Sequence, residues 1–168
     1  MEKSWSRTVA AFLAVLTLVG CRIDHGLDPY GFEGIEGAVS FAGEWPEDLE
    51  EVRVAVYPDY PPADFFALAG YSDPVPLKAA AFSYRVRLLP GVYAWVVVVG
   101  RRRDQDWIQG NVLLGQFTST PGDAAAAAVT VREDRTTCHV DMTVDFADLP
   151  DPPPLPKALG AGGCSRRE

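Results

Sequence analysis

The stretch LLPGVYAWVVVVG, from Leu88 to Gly100, carries an unbroken apolar run behind a Pro-Gly pair. The run is far shorter than the ~20 residues that a membrane-spanning helix needs. It is rich in Val, Tyr and Trp, which favour the packed surface of a pleated sheet. Gly100 and the charged sequence RRRDQD close it. The stretch therefore predicts a strand that is buried on both faces and central in its sheet.

Alternating apolar and polar residues predict further strands on both sides of this one. They lie at residues 34–41 (GIEGAVSF), 52–57 (VRVAVY), 82–89 (FSYRVRLL), 111–117 (NVLLGQF), 127–133 (AAVTVRE) and 137–146 (TCHVDMTVDF). Seven short strands at this spacing predict an all-β fold, a single seven-stranded antiparallel β-sandwich of immunoglobulin-like architecture over residues 34–146. In the last strand the alternation places five side chains in the core: Cys138, Val140, Met142, Val144 and Phe146.

Composition narrows the classes of function. The chain has 168 residues, of which 48% are hydrophobic and 23% charged, and its formal net charge is −8. A surface that follows a phosphate backbone needs a basic stripe, and the basic clusters at residues 101–103 and 166–167 are too short to form one. No nucleic-acid partner is therefore expected.

The N-terminus has the parts of an export signal. Lys3 and Arg7 precede an apolar run at residues 8–19, which is too short to span a bilayer comfortably. The run ends in Leu18, Val19, Gly20 and Cys21, a sequence that resembles the lipobox of bacterial lipoproteins. In that family the cysteine thiol is acylated and the signal peptide is removed just before it. The alternative is an ordinary secretory signal that happens to contain a cysteine.

The resemblance implies a mature chain that begins at Cys21 and is held at the bacterial cell envelope by its lipid, with the membrane as a partner. Several acyl chains give stable anchoring where one gives only marginal binding. Arg22, in place of an aspartate, favours the outer membrane or the surface. Residues 1–20 are then the signal peptide, 21–33 a polar tether, and 147–168 a Pro- and Gly-rich tail that is expected to be disordered.

The order of the predicted strands is similar to that of the transthyretin-like, carboxypeptidase regulatory-like β-sandwiches. Gly37, Val39 and Phe41 match the opening G-x-V-x-F pattern of that group. The sequence Leu88 to Tyr93 matches its hairpin motif L-x-P-G-x-Y, in which Pro presets φ, Gly accepts a positive φ and Tyr packs across the end of the sandwich. The resemblance implies an accessory or binding module and no catalytic residues.

Residues suited to catalysis or metal binding are sparse. His25 lies in the tether and His139 on an outward face, and neither is near a serine or cysteine in a nucleophile motif. The cysteines at 21, 138 and 164 do not have zinc-site spacing. No enzymatic activity, cofactor or metal is expected. Cys138 and Cys164 would form a disulfide after export, or Cys138 would stay a buried free thiol.

Two groups of side chains are candidates for binding. Aromatic residues surround the long loop after residue 57, and Tyr60, Phe66 and Trp107 are the candidate ligand contacts because exposed rings stack on sugars. Alternatively, these rings cap the ends of the core. Asp141 and Asp145 stand roughly 13 Å apart on one strand, too far to share a calcium ion, so a solvated acidic face is the better interpretation.

The sequence thus supports two hypotheses of function. The first is a membrane-anchored envelope lipoprotein that acts as a non-enzymatic structural or protein-interaction module. The alternative is a carbohydrate-binding module on the cell envelope, with a glycan as its partner. The two differ in whether the rings of Tyr60, Phe66 and Trp107 are exposed and coplanar.

Overall fold

The computed structural model of the protein describes residues 32–120, 123 and 125–150. This part of the chain is all-β, as predicted, and it contains ten strands and no helix. None of its elements is a helix long and apolar enough to cross a bilayer. The strands are β1 (Gly34–Ala42), β2 (Leu49–Tyr57), β3 (Gly70–Tyr71), β4 (Ala81–Arg87), β5 (Gly91–Tyr93), β6 (Trp95–Arg102), β7 (Asn111–Gln116), β8 (Val129–Val131), β9 (Thr136–Thr137) and β10 (Met142–Asp145).

The strands form three sheets. Sheet A has the order β10-β1-β4, with β9 also paired to β1. Sheet B has the order β3-β2-β6-β7, and sheet C is the pair β5-β8. β6 is therefore central in sheet B, and its residues from Trp95 to Gly100 are all buried. This confirms the interpretation of the apolar run as a strand with both faces covered.

Sheets A and B share one hydrophobic core. Sheet A contributes Ile35, Val39 and Val86, which are at most 1% exposed, and sheet B contributes Val54 and Val98, which are fully buried. These residues occupy alternate positions of their strands, so one face of each sheet turns to the other. We call these the inner faces of the two sheets and the opposite ones the outer faces.

The outer face of sheet B carries a second hydrophobic cluster, which the alternation did not predict. The cluster is formed by Ala55, Tyr57, Trp95, Val97, Val99 and Leu113. Its members alternate along β2 and β6 with the residues of the shared core. The sheet is therefore covered on both faces, which explains why β6 has no polar positions before Arg101.

Two features differ from the predicted seven antiparallel strands. The described residues contain ten strands, because several predicted strands are interrupted and short additional ones form. In addition, β1 pairs with β9 and β10 in parallel, while its pairing with β4 is antiparallel. Hydrophobic alternation indicates which face of a strand is buried, but it does not indicate the partner strand or its direction.

The predicted hairpin at Pro90-Gly91 is a connection between sheets. β4 pairs with β1 in sheet A, whereas β5 pairs with β8 and β6 lies in sheet B. Gly91 is not among the residues with a positive φ, so that expectation was wrong. Tyr93 is buried in the shared core as expected, and its hydroxyl donates to the carbonyl of Leu89 at 2.7 Å.

The predicted last strand is interrupted, which corrects the placement of Cys138. His139 has a φ of 61°, a left-handed conformation that breaks the alternation between β9 and β10. Val140, Met142 and Val144 point into the core as predicted, but Cys138 is exposed. The segment crosses β1 closely, since a Cβ at Gly37 would clash with the carbonyl of Val140.

The end of β10 is fixed by aromatic packing. The ring of Phe146 lies 4.8 Å from that of Trp45 and 6.0 Å from that of Phe41, measured between centroids. Leu149, a few residues further on, is half-buried against the shared core. Residues 151–168 lie outside the described part of the chain, so the prediction that they are disordered stays a prediction.

Candidate functional site

A groove of about 270 Å³ opens on the outer face of sheet B. Its lining is mostly aromatic and aliphatic, and it contains two of the three predicted contact residues, Phe66 and Trp107. We call it the aromatic groove. The full lining is Arg53, Ala55, Tyr57, Phe65, Phe66, Leu68, Tyr71, Val99 and Trp107.

The floor and the walls of the groove come from different elements. Ala55 and Val99 form the floor because they are outward positions of the neighbouring strands β2 and β6. One wall is the loop after β2, which folds back over the sheet and donates from the Ala69 amide to the Val56 carbonyl at 2.7 Å. Tyr57 fastens this loop, since its hydroxyl donates to the carbonyl of Phe65 at 3.0 Å.

Three rings of the groove pack against one another, and Phe66 among them stays largely exposed. Phe65 stacks on Trp107 with 6.1 Å between centroids and an interplanar angle of 20°, and it meets Phe66 edge to face at 5.4 Å. The side chain of Phe66 is 61% exposed, whereas Trp107 is half-buried. Trp107 comes from the loop between β6 and β7, so two separate loops form this wall.

Two arginines lie over rings of the groove. The guanidinium of Arg53 is 5.0 Å from the ring centre of Tyr71, and that of Arg101 is 5.8 Å from the ring centre of Trp107. Glu51 joins them, with its carboxylate 2.5 Å from Arg53 and 3.1 Å from Arg101. One shared carboxylate thus pairs with both of the cations that lie over these rings.

The ion pairs together lower the pKa of Glu51 more than its burial raises it. Burial alone would raise the pKa of Glu51, but hydrogen bonds from Arg53 and Arg101 and their positive charge lower the pKa below its usual value. Glu51 therefore stays ionised at neutral pH. Burial, together with a smaller contribution from the nearby charge of Asp64, raises the pKa of Tyr57 to about 12, so this phenol keeps its proton.

Tyr60, the third predicted contact, lies outside the lining of the groove. Its ring packs edge-on against Trp95 at 5.4 Å and remains 49% exposed. The predicted set is therefore brought together only in part. The arginines at 53 and 101 were missed as contributors; alternation placed Arg53 outward, but nothing local indicated that it would lie over Tyr71.

The polar side chains that line the groove are mostly hydrogen-bond donors. Trp107 and Arg53 can only donate hydrogen bonds, and Tyr57 and Tyr71 carry hydroxyls. None of the nine lining side chains is a carboxylate or a carboxamide. The Tyr57 hydroxyl already donates to Phe65, and Arg53 already donates to Glu51 and to the carbonyl of Ser72. The groove thus offers apolar ring surface together with the N–H of Trp107 and the O–H of Tyr71, and it offers few side-chain acceptors.

A second depression, of about 440 Å³, lies on the outer face of sheet A. Its polar groups are engaged with one another: Glu36 pairs with Arg85 at 3.2 Å, and Asp141 accepts the Ala38 amide at 2.8 Å. A hydrogen bond to Glu36 raises the pKa of the Cys138 thiol, and slight desolvation and the charge of Glu36 add to this effect. A protonated thiol is a poor nucleophile, so this polar depression does not provide an activated cysteine.

Other predictions concern residues that the structure does not describe or does not bring together. The lipidation residue Cys21 and the cleavage motif Leu18, Val19 and Gly20 lie outside the described residues, and so does Cys164. In residues 32–120, 123 and 125–150, no three His, Cys, Asp or Glu side chains converge as metal ligands.

Comparison of the chain with protein-family models, with curated proteins and with solved structures finds no match. The assignment of a function consequently depends on the geometry and chemistry of the chain's own residues.

Proposed function

We propose that this protein is a lipoprotein of the bacterial cell envelope, anchored through acyl chains on Cys21, and that its β domain is a non-enzymatic protein-interaction module. The anchor is supported by the sequence Leu18 to Cys21 at the end of an apolar run of signal-peptide length. Arg22 favours the outer membrane or the cell surface. The interaction role is supported by the aromatic groove.

The proposal includes a β-sandwich of the transthyretin-like, carboxypeptidase regulatory-like group. The proposal of a sandwich is supported by sheets A and B, which face each other across a shared core. Domains of this architecture present loops and outer faces to partners while the core stays constant. The outer face of sheet B is where this chain has such a surface.

The observation that carries the interaction role is the exposure of large rings beside a preformed groove. Phe66 and Tyr71 are 61% and 60% exposed, although the chain buries Tyr57 and Trp95 almost completely on the same face of the sheet. Apolar surface that is clustered and left uncovered marks a site of association. Aromatic and arginine side chains are also the residues that contribute most to protein–protein interfaces.

A carbohydrate-binding module on the envelope is the second candidate. The exposed rings of Phe66 and Tyr71 and the half-buried ring of Trp107 are surfaces on which a sugar could stack. Sugar hydroxyls, however, both donate and accept hydrogen bonds, and the lining side chains provide few acceptors. A protein segment with apolar side chains and free carbonyls suits the groove better.

The anchor is tested by Cys21→Ser. The variant should move from the membrane fraction to the soluble fraction and should lose its incorporated fatty acid. Because acylation requires the thiol, retention in the membrane with no acyl group on either protein would contradict the proposal.

The interaction role is tested by placing a charge in the groove. Phe66→Asp should abolish the formaldehyde cross-links that the protein forms with envelope proteins in cells, since losing a central contact costs about 2 kcal/mol or more, or ~30-fold in affinity. The matched control is Leu89→Asp, a change at a side chain that is 77% exposed and lies outside the groove lining. Equal cross-linking by the two variants would contradict a role for the groove.

The carbohydrate alternative is tested with a panel of envelope oligosaccharides. Ligand binding at a hundredfold excess over its dissociation constant stabilises the native state by about 2.7 kcal/mol. A rise in the unfolding temperature with one class of sugar, absent in Trp107→Ala, would favour the carbohydrate function over the protein-interaction function.

A further inference from the structure

Strand β4 forms a free edge of sheet A, and we propose that this edge is a site of strand addition for an extended acidic segment of a partner protein. The added strand lies antiparallel to β4 along residues 81–85 and carries carboxylates at alternate positions. This surface is separate from the aromatic groove, and the inference goes beyond the role proposed for the groove without depending on it.

One side of β4 is paired and the other is not. Among the described residues, β4 pairs only with β1, in antiparallel register. The carbonyl of Ala80 accepts from the amide of Phe41 at 2.9 Å, and the amide of Leu88 donates to the carbonyl of Glu33 at 3.3 Å. Because the direction of the backbone groups alternates along a strand, the even-numbered residues of β4 turn theirs to β1 and the odd-numbered residues turn theirs away.

The unpaired backbone groups belong to residues 81, 83 and 85. These residues are exposed, and in the described part of the chain no backbone hydrogen bond joins them to a further strand. The segment after β3 bonds to β2 instead, since the amide of Ser72 donates to the carbonyl of Val54 at 2.9 Å. β3 comes close only at the far end of β4, where a Cβ at Gly70 would lie 3.1 Å from the carbonyl oxygen of Arg87. The open part of the edge is therefore residues 81–85.

The other sheet edges are short or irregular, whereas β4 is long and regular. β3 has two residues, β10 has four, each strand of sheet C has three, and the pairing of β7 with β6 has a register shift. β4 has seven residues, contains no proline and shows no register shift against β1. Proteins protect sheet edges by short strands, bulges and prolines, so β4 is the edge at which a further strand can pair.

The side chains beside this edge are basic. Arg85 and Arg87 are exposed on the outer face, and residues 74–103 contain no Asp or Glu, although the net charge of the chain is −8. Arg85 pairs with Glu36 on its β1 side, whereas Arg87 stands opposite Gly34, which has no side chain. A carboxylate on the added strand opposite Arg85 lies on the same face and within reach of both arginines. The charge of the edge therefore selects an acidic partner.

The same charges disfavour a second copy of this chain. Two fully aligned antiparallel β4 strands would place Arg85 of one copy diagonal to Arg85 of the other on the same face. Like charges at neighbouring positions destabilise a strand pair, and each copy also carries the same net negative charge. The arginines thus protect the edge against self-association while leaving it open to a strand of opposite charge.

The partner segment alternates acidic and apolar residues. In an antiparallel pair, the residue opposite Arg85 exchanges both backbone hydrogen bonds with it, and the two side chains lie side by side. The neighbours of that residue turn to the inner face, where Phe82 is half-buried against the shared core. Apolar side chains at these positions would extend the core over Phe82.

The test is the binding of synthetic peptides to the full-length protein, measured by fluorescence polarisation. The probe alternates Glu and Val, and the matched peptide has Lys in place of each Glu. We expect the glutamate peptide to bind and the lysine peptide not to bind. Arg85→Glu combined with Arg87→Glu should weaken binding of the glutamate peptide about tenfold or more and should allow the lysine peptide to bind. A misfolded variant would not gain this binding.

Two controls separate charge from backbone pairing. Arg132→Glu combined with Arg135→Glu changes the net charge equally, at exposed residues before β9, which lies across β1 from β4, and should leave the binding of both peptides unchanged. N-methylation of the Glu residues blocks the peptide N–H groups that face β4, so it should abolish binding. N-methylation of the Val residues places the methyl groups on the far side and should retain it.

The inference is overturned if the glutamate peptide does not bind, or if the two peptides bind equally. An equal effect of the two double variants would contradict a role for Arg85 and Arg87. Binding that survives N-methylation of the Glu residues would exclude strand addition. A dimer of the protein that the glutamate peptide dissociates would assign the edge to a second copy and overturn the acidic partner. None of these results alters the role of the aromatic groove, which Phe66→Asp tests separately.

Discussion

The outer faces of sheets A and B lie on opposite sides of one core, and they differ in composition and in coverage. On sheet A the outward residues of β1 and β4, such as Glu36 and Arg85, are charged and pair with each other near the solvent. On sheet B many outward residues of β2 and β6, such as Tyr57 and Val97, are apolar and almost completely buried, and the charged ones, Glu51, Arg53 and Arg101, lie together at one end. One face is solvated, whereas the other is covered by a second apolar layer.

The difference shows how a binding groove arises on a small β fold. The loop after β2 and the loop between β6 and β7 cover the outer face of sheet B, but they do not close over it completely. Trp95 lies deep under this layer and Phe66 lies at its opening, 5% and 61% exposed. The groove is therefore the unfilled part of a second core, which explains why its walls are aromatic and its charges lie at the rim.

Among the changes that test this comparison, Trp95→Ala has the largest expected effect on stability. Trp95 packs on Tyr57 with 5.3 Å between centroids, and its Nε1 donates to Gln116 at 2.9 Å. Removing a buried aromatic ring leaves a cavity, so we expect a loss of about 3–5 kcal/mol in the free energy of unfolding, measured with urea. On the other outer face, Arg85→Ala removes a side chain that is 65% exposed and should cost less than about 0.5 kcal/mol. Similar losses for both variants would show that the two faces are equally solvated.

Smaller losses of stability are expected when the hydroxyl is removed from either of two buried tyrosines, one near each outer face. The hydroxyl of Tyr84 donates to the carbonyl of Val140 at 2.5 Å, below the polar depression of sheet A. Tyr84→Phe should cost about 1–3 kcal/mol at pH 7 because that buried carbonyl loses its donor. Tyr57→Phe should cost less, since the carbonyl of Phe65 that it releases is in a half-buried loop residue.

The same phenols make stability fall at alkaline pH. Burial and the charge of Asp141 raise the pKa of Tyr84, and burial and Asp64 raise the pKa of Tyr57 to about 12. An unfolded tyrosine has a pKa of about 10, so both groups contribute stability that is fully present below pH 10 and is lost as the pH rises through the folded values. Each Tyr→Phe variant should lose less stability than the parent protein between pH 9 and 11. An equal loss of stability in the parent protein and in both variants would contradict the raised pKa values of the two tyrosines.

Much of the fold could be predicted from short-range patterns. β1, β4 and β7 lie where alternation or apolar runs place them, and Trp95–Gly100 is buried as the opening run indicates. These predictions succeeded because a strand's inward and outward positions depend on its own sequence. The placement of Cys138 failed because the left-handed φ of His139 shifts the alternation, and no local residue type announces that change.

The candidate site could be predicted less completely, for a physical reason. Phe66 and Trp107 meet because two loops, far apart in sequence, fold over the same strands. Tyr60 is in the first of these loops, yet it turns toward Trp95. The contact of Glu51 with Arg101 depends on the pairing of β2 with β6, which is a long-range feature. Composition identified the aromatic residues, but tertiary packing decides which of them face one another.

The smallest predicted effect concerns the carboxylates on the two outer faces. Glu51, with a side chain that is 20% exposed, pairs with both Arg53 and Arg101, so Glu51→Gln should cost about 1 kcal/mol at pH 7. Its pKa is lowered in the folded chain, so this stability is present above the usual carboxyl pKa and is lost as the pH falls through the folded value. Unfolding measured from pH 7 to pH 3 should therefore show a smaller acid loss in Glu51→Gln than in the parent protein.

The matched control is Glu36→Gln on the outer face of sheet A. Glu36 has a single arginine partner, Arg85, which is 65% exposed, so water screens the pair and the change should cost less than about 0.5 kcal/mol. The two changes remove the same charge, and they differ in what that charge positions. Because Glu51 holds Arg53 over Tyr71 and Arg101 over Trp107, Glu51→Gln should also weaken cross-linking from the aromatic groove, while Glu36→Gln should leave it unchanged. Equal behaviour of the two variants would mean that the shared carboxylate does not organise the groove.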